Sequence, residues 1–209
     1  MRSIQGKLWT QWCLCALWLA ACFVGSYLAM GYEFTPGRLG SRQSLWPEAT
    51  ALTRMPGRIT AVAFLHPRCV CTRATVAHLV RVLKGQRGAD LLVSAFVPPT
   101  SFDQTAWQEV EYVKTLRAEL PGTRVFFDRG GSEARRFGAF TSGTILVYDG
   151  VGKEIFRGGI TDRRGGERDN PGLRQFGFVL TNGRPAISGG ATPVFGCPLV
   201  EPDAGVAVE

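Results

Sequence analysis

Hydrophobic positions along this chain form one long uninterrupted run and then, after a polar interval, a series of short ones. Leu8 to Met30 carries no charge and consists mostly of Leu, Ala, Trp, Cys, Val and Phe. As a helix these 23 residues extend about 34 Å, enough to cross a hydrocarbon core of about 30 Å. The run predicts a single membrane crossing over 8–30 behind a short amino end, 1–7. From Gly31 to Gly57 the pattern dissolves into Pro36, Gly37, Gly40, Ser41, Pro47 and Pro56, the composition of a juxtamembrane spacer.

Periodic structure begins at Ile59. Ile59 to Leu65 reads as a buried strand, and Cys71 to Leu83 as a helix whose Val76, Val80 and Leu83 form an apolar stripe. Leu91 to Val97 is a second strand, stopped by Pro98-Pro99. Gln104 to Leu120 is a helix ended by Pro121-Gly122, and Arg124 to Phe127 a third strand. A brief helix, Glu133 to Phe137, precedes a hairpin of Thr144 to Tyr148 and Lys153 to Phe156 around Asp149-Gly150. Gly172 to Thr181 is the last helix, with Leu173, Phe176 and Leu180 inward. This order predicts one α/β domain, 58–182, with a central mixed sheet and helices on both faces, followed by a tail, 183–209.

Charge adds a location. Arg2 and Lys7 precede the apolar run, which places the amino end in the cytoplasm and everything from Gly31 on the far side, periplasmic in a bacterium. Leu19-Ala20-Ala21-Cys22 resembles a lipobox, so a lipidated Cys22 is the alternative anchor, although Phe23 to Met30 stays apolar past that cut. The remaining 22 of 24 Lys and Arg face 17 Asp and Glu. Scattered through loops, this excess describes a solvated or membrane-facing surface and argues against a nucleic-acid partner.

The candidate chemistry is sulfur. Cys69 and Cys71, in His66-Pro67-Arg68-Cys69-Val70-Cys71-Thr72, stand where the first strand turns into a helix. Unpaired N–H groups and the helix dipole there favour a thiolate. Arg68, Arg73 and His66 add positive or protonatable neighbours, making Cys69 the expected attacking thiol and Cys71 the resolving one. Cys13, Cys15 and Cys22 fall within the span and read as packing residues. Cys69, Cys71 and Cys197 then lie in an oxidising compartment, and an odd number requires that at least one be free, metal-bound or paired elsewhere. His66 is expected either to hydrogen-bond Cys69 or simply to pack.

These residues resemble the thioredoxin-like superfamily, in which a cysteine pair ends the first core strand and opens the first helix. Within it, His-Pro-x-Cys-x-Cys, Gly158-Gly159-Ile160-Thr161 and Phe195-Gly196-Cys197-Pro198 are similar to membrane-anchored bacterial RedB-type proteins. The resemblance covers about Ile59 to Thr181. It implies a partner groove shaped by Gly143, Thr144, Gly158 and Gly159.

Two departures touch the chemistry. Only Val70 separates the cysteines, and two helical residues turn through about 200°, so a Cys69–Cys71 disulfide requires Cys69 to precede the first helical residue. Thr141-Ser142-Gly143-Thr144 lacks the proline that relatives carry in that loop. Cys197 reads as a partner in a fixed or regulatory disulfide, or as half of a working pair with Cys69 or Cys71. The favoured function is thiol-disulfide exchange with a protein thiol or disulfide partner through a mixed disulfide on Cys69, without a cofactor. The alternatives are Cu(I) held by Cys69, Cys71 and Cys197 for a respiratory enzyme, and a redox-silent scaffold.

Overall fold

Ile59–Leu65 (β1) is apolar on both faces because it lies in the middle of the sheet, and six of its seven residues are fully buried. The computed structural model describes residues 2–86, 88–98, 110–186 and 190–201. It divides into an amino-terminal helix and a domain that starts at Pro36, each described separately below.

Helix α1 (Arg2–Phe34) is longer than the expected 8–30 span. Its segment Trp9–Phe34 is long and apolar enough to cross a membrane, and as a helix near the amino terminus it equally fits a signal sequence. Apolar side chains point outward on every side, among them Trp9, Trp12, Phe23 and Leu28.

In the domain, β1 is followed by α2 (Val70–Leu83), β2 (Ala89–Val97), α3 (Glu111–Glu119), β3 (Arg124–Arg129), α4 (Ser132–Arg136), β4 (Thr144–Tyr148), β5 (Glu154–Gly158) and α5 (Pro171–Asn182). The sheet order is β3-β2-β1-β4-β5. β1, β2 and β3 run parallel, with Ile59 opposite Ala89 and Leu92 opposite Arg124. β4 is antiparallel to β1, and β5 to β4. Only 111–119 of the expected helix over 104–120 is described, and residues 104–109 lie outside the described residues.

Strand alternation sorts the core into two layers. Ala61, Ala63, Leu65, Val93, Ile145 and Val147 face α2, α3 and α5, from which Leu79, Leu116 and Phe176 are fully buried. Val62, Phe64, Leu146 and Tyr148 face the other way, where the five-residue α4 offers little cover. Chain expected to be a spacer supplies the rest. Leu39 and Leu52 are buried, and Trp46 packs edge-on against Phe137 and Tyr148 at 5.2 and 4.9 Å. Gly40 N–H donates to Gly138 O and Trp46 N–H to Gly152 O, both at 2.8 Å. The interval 36–54 is therefore a strap on the domain, because an under-covered sheet face takes its isolated apolar side chains. The tail is ordered in the same way, Leu199 joining this layer.

Beneath the strap, Arg157 and Glu154 form a buried ion pair, Nη2 to Oε2 2.7 Å. Arg157 Nη1 also donates to Phe137 O at 3.1 Å and Gly40 O at 3.3 Å.

Candidate thiol site

β1 ends against the loop that precedes β4. His66 N–H donates to Ser142 Oγ at 2.8 Å, and Thr72 Oγ1 lies 3.2 Å from the same hydroxyl. The His66 carbonyl accepts from Cys69 N–H at 3.1 Å and from Thr72 Oγ1 at 3.0 Å, a turn that sets Cys69 at the N-cap of α2 with extended φ and ψ of −85° and 121°. Cys69 thus stands just before the first helical residue, Val70, and Cys71 is the second residue of the helix. Val70 is 83% exposed, whereas Cys69 is 5% and Cys71 3% exposed.

The tail is what covers Cys69. Ser142 N–H donates to Cys197 O and Leu199 N–H to Phe140 O, each at 2.8 Å, and Thr141 and Pro198 form an antiparallel bridge. Cys197, half-buried, is the neighbour that most lowers the Cys69 thiol. Gly196 belongs here because a Cβ would collide with the Ser142 carbonyl. Arg164, from the loop before α5, donates to the Gly196 carbonyl.

The expected groove residues fall into two groups. Gly143, at φ +93°, brings the backbone to Phe64, donating to its carbonyl at 2.8 Å, and a Cβ there would lie 3.2 Å from Thr75 Oγ1. Thr144 is buried and folds back on its own loop, Oγ1 donating to Thr141 O at 2.7 Å. Gly158 and Gly159 make way for the tail, pressing on Thr192 and on Pro193 and Val194. The groove that these glycines were expected to shape for a partner is occupied by the chain itself.

The three thiols differ in acidity. Burial pushes Cys69 up, but hydrogen bonds from the Cys197 side chain and backbone, and then the Cys71 backbone and side chain, outweigh it and leave it below the ordinary thiol value. No capping bond of normal geometry runs from the Cys69 side chain, so the Cys71 amide acts as a nearby dipole. Cys71 is pushed up by burial, then by the charge of Cys69 and the hydrogen bond to it, with the Gly165 amide and Arg164 opposing. Burial, and then the Cys69 hydrogen bond and charge, raise Cys197 to about 12.

The ring of His66 takes no part in this set. Its Nδ1 accepts from Arg68 N–H at 3.1 Å, it stacks on Phe96 at 5.4 Å, and burial, then Arg68, hold it below the usual histidine range. Of the two roles expected for His66, its ring packs on Phe96 while its carbonyl shapes the turn, and the neighbours that shift the Cys69 thiol are Cys197 and Cys71. For copper, Cys69, Cys71 and Cys197 are the expected ligands; among the described residues no group of three or more His, Cys, Asp or Glu is arranged to hold a metal ion. Arg164 is a residue that the sequence did not single out, and His78, seven positions after Cys71 on the same helix, is too far along it to share a metal ion with that thiol. His78 is buried with Nε2 unpartnered, beneath the loop of Asp162, Gly166 and Glu167.

No protein-family description and no curated protein matches the chain. Solved structures do. A hypothetical protein from Sinorhizobium meliloti 1021 is 21% identical, with TM-score 0.53, over 81% of this chain and 100% of that one. An uncharacterized conserved protein from Geobacillus kaustophilus is 19% identical, with TM-score 0.54, over 82% and 95%. At these identities the likeness concerns fold. A thioredoxin-like protein from Aeropyrum pernix matches at a TM-score of 0.43 and 16% identity over 78% and 96%. The parallel β1–β2–β3 half, the antiparallel β4–β5 hairpin and the helix that follows β1 give this domain a thioredoxin-like fold.

Proposed function

We propose that this protein is a thiol-disulfide oxidoreductase, anchored by α1 in the cytoplasmic membrane with its domain in the periplasm. The observation that carries the reading is Cys69, set at the start of α2 and made more acidic than an ordinary thiol by its neighbours Cys197 and Cys71. A thiolate is the nucleophile of disulfide exchange, and a sulfur that ionises readily is also the better leaving group. Its partners are protein thiols and disulfides. Orientation follows from Arg2 and Lys7 before the apolar segment. Exchange fits the site better than copper delivery does, because exchange needs two sulfurs and among the described residues no group of three or more His, Cys, Asp or Glu is arranged to hold a metal ion.

The test uses the full chain in detergent. Incubated with glutathione disulfide and then with reduced glutathione, it loses and regains two thiols per chain, and Cys69→Ser abolishes the cycle. A Cys69→Ser variant that cycles like the wild type overturns the role of Cys69. Protease treatment of sealed spheroplasts checks orientation; a domain that stays intact until the cells are lysed refutes the periplasmic placement.

A further inference from the structure

The cycle above requires a second sulfur, and Cys71, the nearer in sequence, lies inside the helix that Cys69 caps. A bond from Cys69 to Cys71 must close across the first turn of α2, where Thr72 N–H already donates to Cys69 O at 3.0 Å. Cys197 comes from a separate segment fixed on both sides of the cysteine. Gly37 N–H holds Val194 O at 2.7 Å, Arg164 and the Ser142 amide hold the Gly196 and Cys197 carbonyls, and Leu199 N–H is spent on Phe140. Cys69 and Cys197 are tied to the same loop: Ser142 N–H holds Cys197 O, Ser142 Oγ accepts from His66 N–H, and the His66 carbonyl accepts from Cys69 N–H, so joining the two asks only for closure between segments already bound together. Access points the same way. Cys69 and Cys71 are buried, whereas Cys197 is half-exposed and the neighbouring Pro198 is exposed.

Building on the oxidoreductase reading, we propose that Cys197 is the second redox sulfur and the one that partners meet first. In the oxidised protein a Cys69–Cys197 disulfide joins the tail to α2. A partner thiolate attacks the accessible Cys197 sulfur, the bond between partner and Cys197 forms, and Cys69 departs as a thiolate with the bonding electron pair. The second thiolate of that partner attacks the partner sulfur of the mixed disulfide, and Cys197 leaves and takes up a proton. The partner dithiol has lost two electrons and become a disulfide, and the protein has gained two electrons and holds two reduced sulfurs. The acidity order fits this sequence, since the sulfur expelled first is the one that ionises most easily.

The primary sequence makes the pairing easy to read. Trypsin cuts after Arg68 and Arg73, releasing Cys69 and Cys71 in one short peptide, whereas Cys197 lies in a fragment starting at Gln175, because Pro185 protects the bond after Arg184. The full chain in detergent is equilibrated with glutathione disulfide, its free thiols are alkylated, and the digest is mapped by mass. The expected result is the two peptides joined, in the wild type and in Cys71→Ser, with loss of the joined species in Cys197→Ser. In Cys69→Ser, glutathione accumulates on Cys197. A disulfide inside the 69–73 peptide that persists in Cys197→Ser, or glutathione on Cys71 instead of Cys197 in Cys69→Ser, overturns this proposal while leaving the oxidoreductase reading intact. Absence of reversible oxidation at all three sulfurs overturns both.

Discussion

Two sets of polar groups are buried within one domain, and they are built differently. Around Arg157 every charge has an answer: Glu154 takes Nε and Nη2, and the Gly40 and Phe137 carbonyls take Nη1. Around Cys69 the groups answer one another unevenly, one thiol more acidic than usual and two less so, with His78 Nε2 lacking a hydrogen-bond partner nearby. A saturated set has one low-energy arrangement and serves as a clamp. An unsaturated one keeps a proton or an electron pair in play, as a reaction requires.

The sharpest way to break this contrast is Arg157→Met. It leaves the buried Glu154 carboxylate to the half-exposed Arg42, 3.4 Å away, and the expected loss is about 3 kcal/mol. For a domain whose whole stability is on the order of 5–15 kcal/mol, that loss appears as a large fall in the denaturant midpoint. Replacing both partners by apolar residues of similar volume recovers most of it. An Arg157→Met variant that unfolds like the wild type would show that the clamp is dispensable.

Next in size is Gly143→Ala, which asks an L residue to hold φ +93° while facing Thr75 at 3.2 Å. A cost of about 1–3 kcal/mol is expected, with faster alkylation of Cys69 as the loop that supports the tail loosens. Unchanged alkylation would separate that loop from the cover over the thiol.

Cys197→Ala sharpens the comparison by pH. It deletes the side-chain hydrogen bond that helps to hold Cys69 acidic, so the inflection in Cys69 alkylation rate moves upward in pH. Stability responds with the opposite sign. A thiol raised in the folded state costs nothing below its ordinary value near 9 and destabilises the fold as pH climbs toward about 12, so the variant flattens the alkaline decline of the unfolding midpoint over that window. An alkaline limb identical in the two proteins contradicts this. The smallest effect belongs to His78→Leu, expected to change stability by less than about 1 kcal/mol, since an apolar side chain replaces a buried ring that lacks one partner.

The sheet and its helices could be read from local signals. A seven-residue run that is apolar except for Thr60 delimits β1, Asp149-Gly150 marks the hairpin, and Leu173, Phe176 and Leu180 give α5 its buried stripe. The strap and the tail could not, because Leu39, Trp46, Leu52 and Leu199 are isolated apolar residues among prolines and glycines, and their segments are held by hydrogen bonds distant in sequence, such as Gly40 to Gly138 and Leu199 to Phe140. At the site, the position of Cys69 and Cys71 was visible in the strand-to-helix pattern. The place of Cys197 was not, since three cysteines admit several pairings and only the folded tail selects among them. For His66 the sequence shows nearness to Cys69, and only the fold shows that the turn uses its carbonyl. Arg164 gave no signal among the other arginines of its loop.

One further property rests on the two segments that flank β5. Leu45 bridges Lys153 at its start and Thr192 bridges Gly158 at its end, so the outermost strand is shielded at both ends from a neighbouring molecule. A chain truncated after Gly183 would lose a sulfur and also bare part of that rim, inviting strand-to-strand aggregation. Purification of shortened versions should therefore be accompanied by light scattering, with self-association rising as the carboxyl end is cut back.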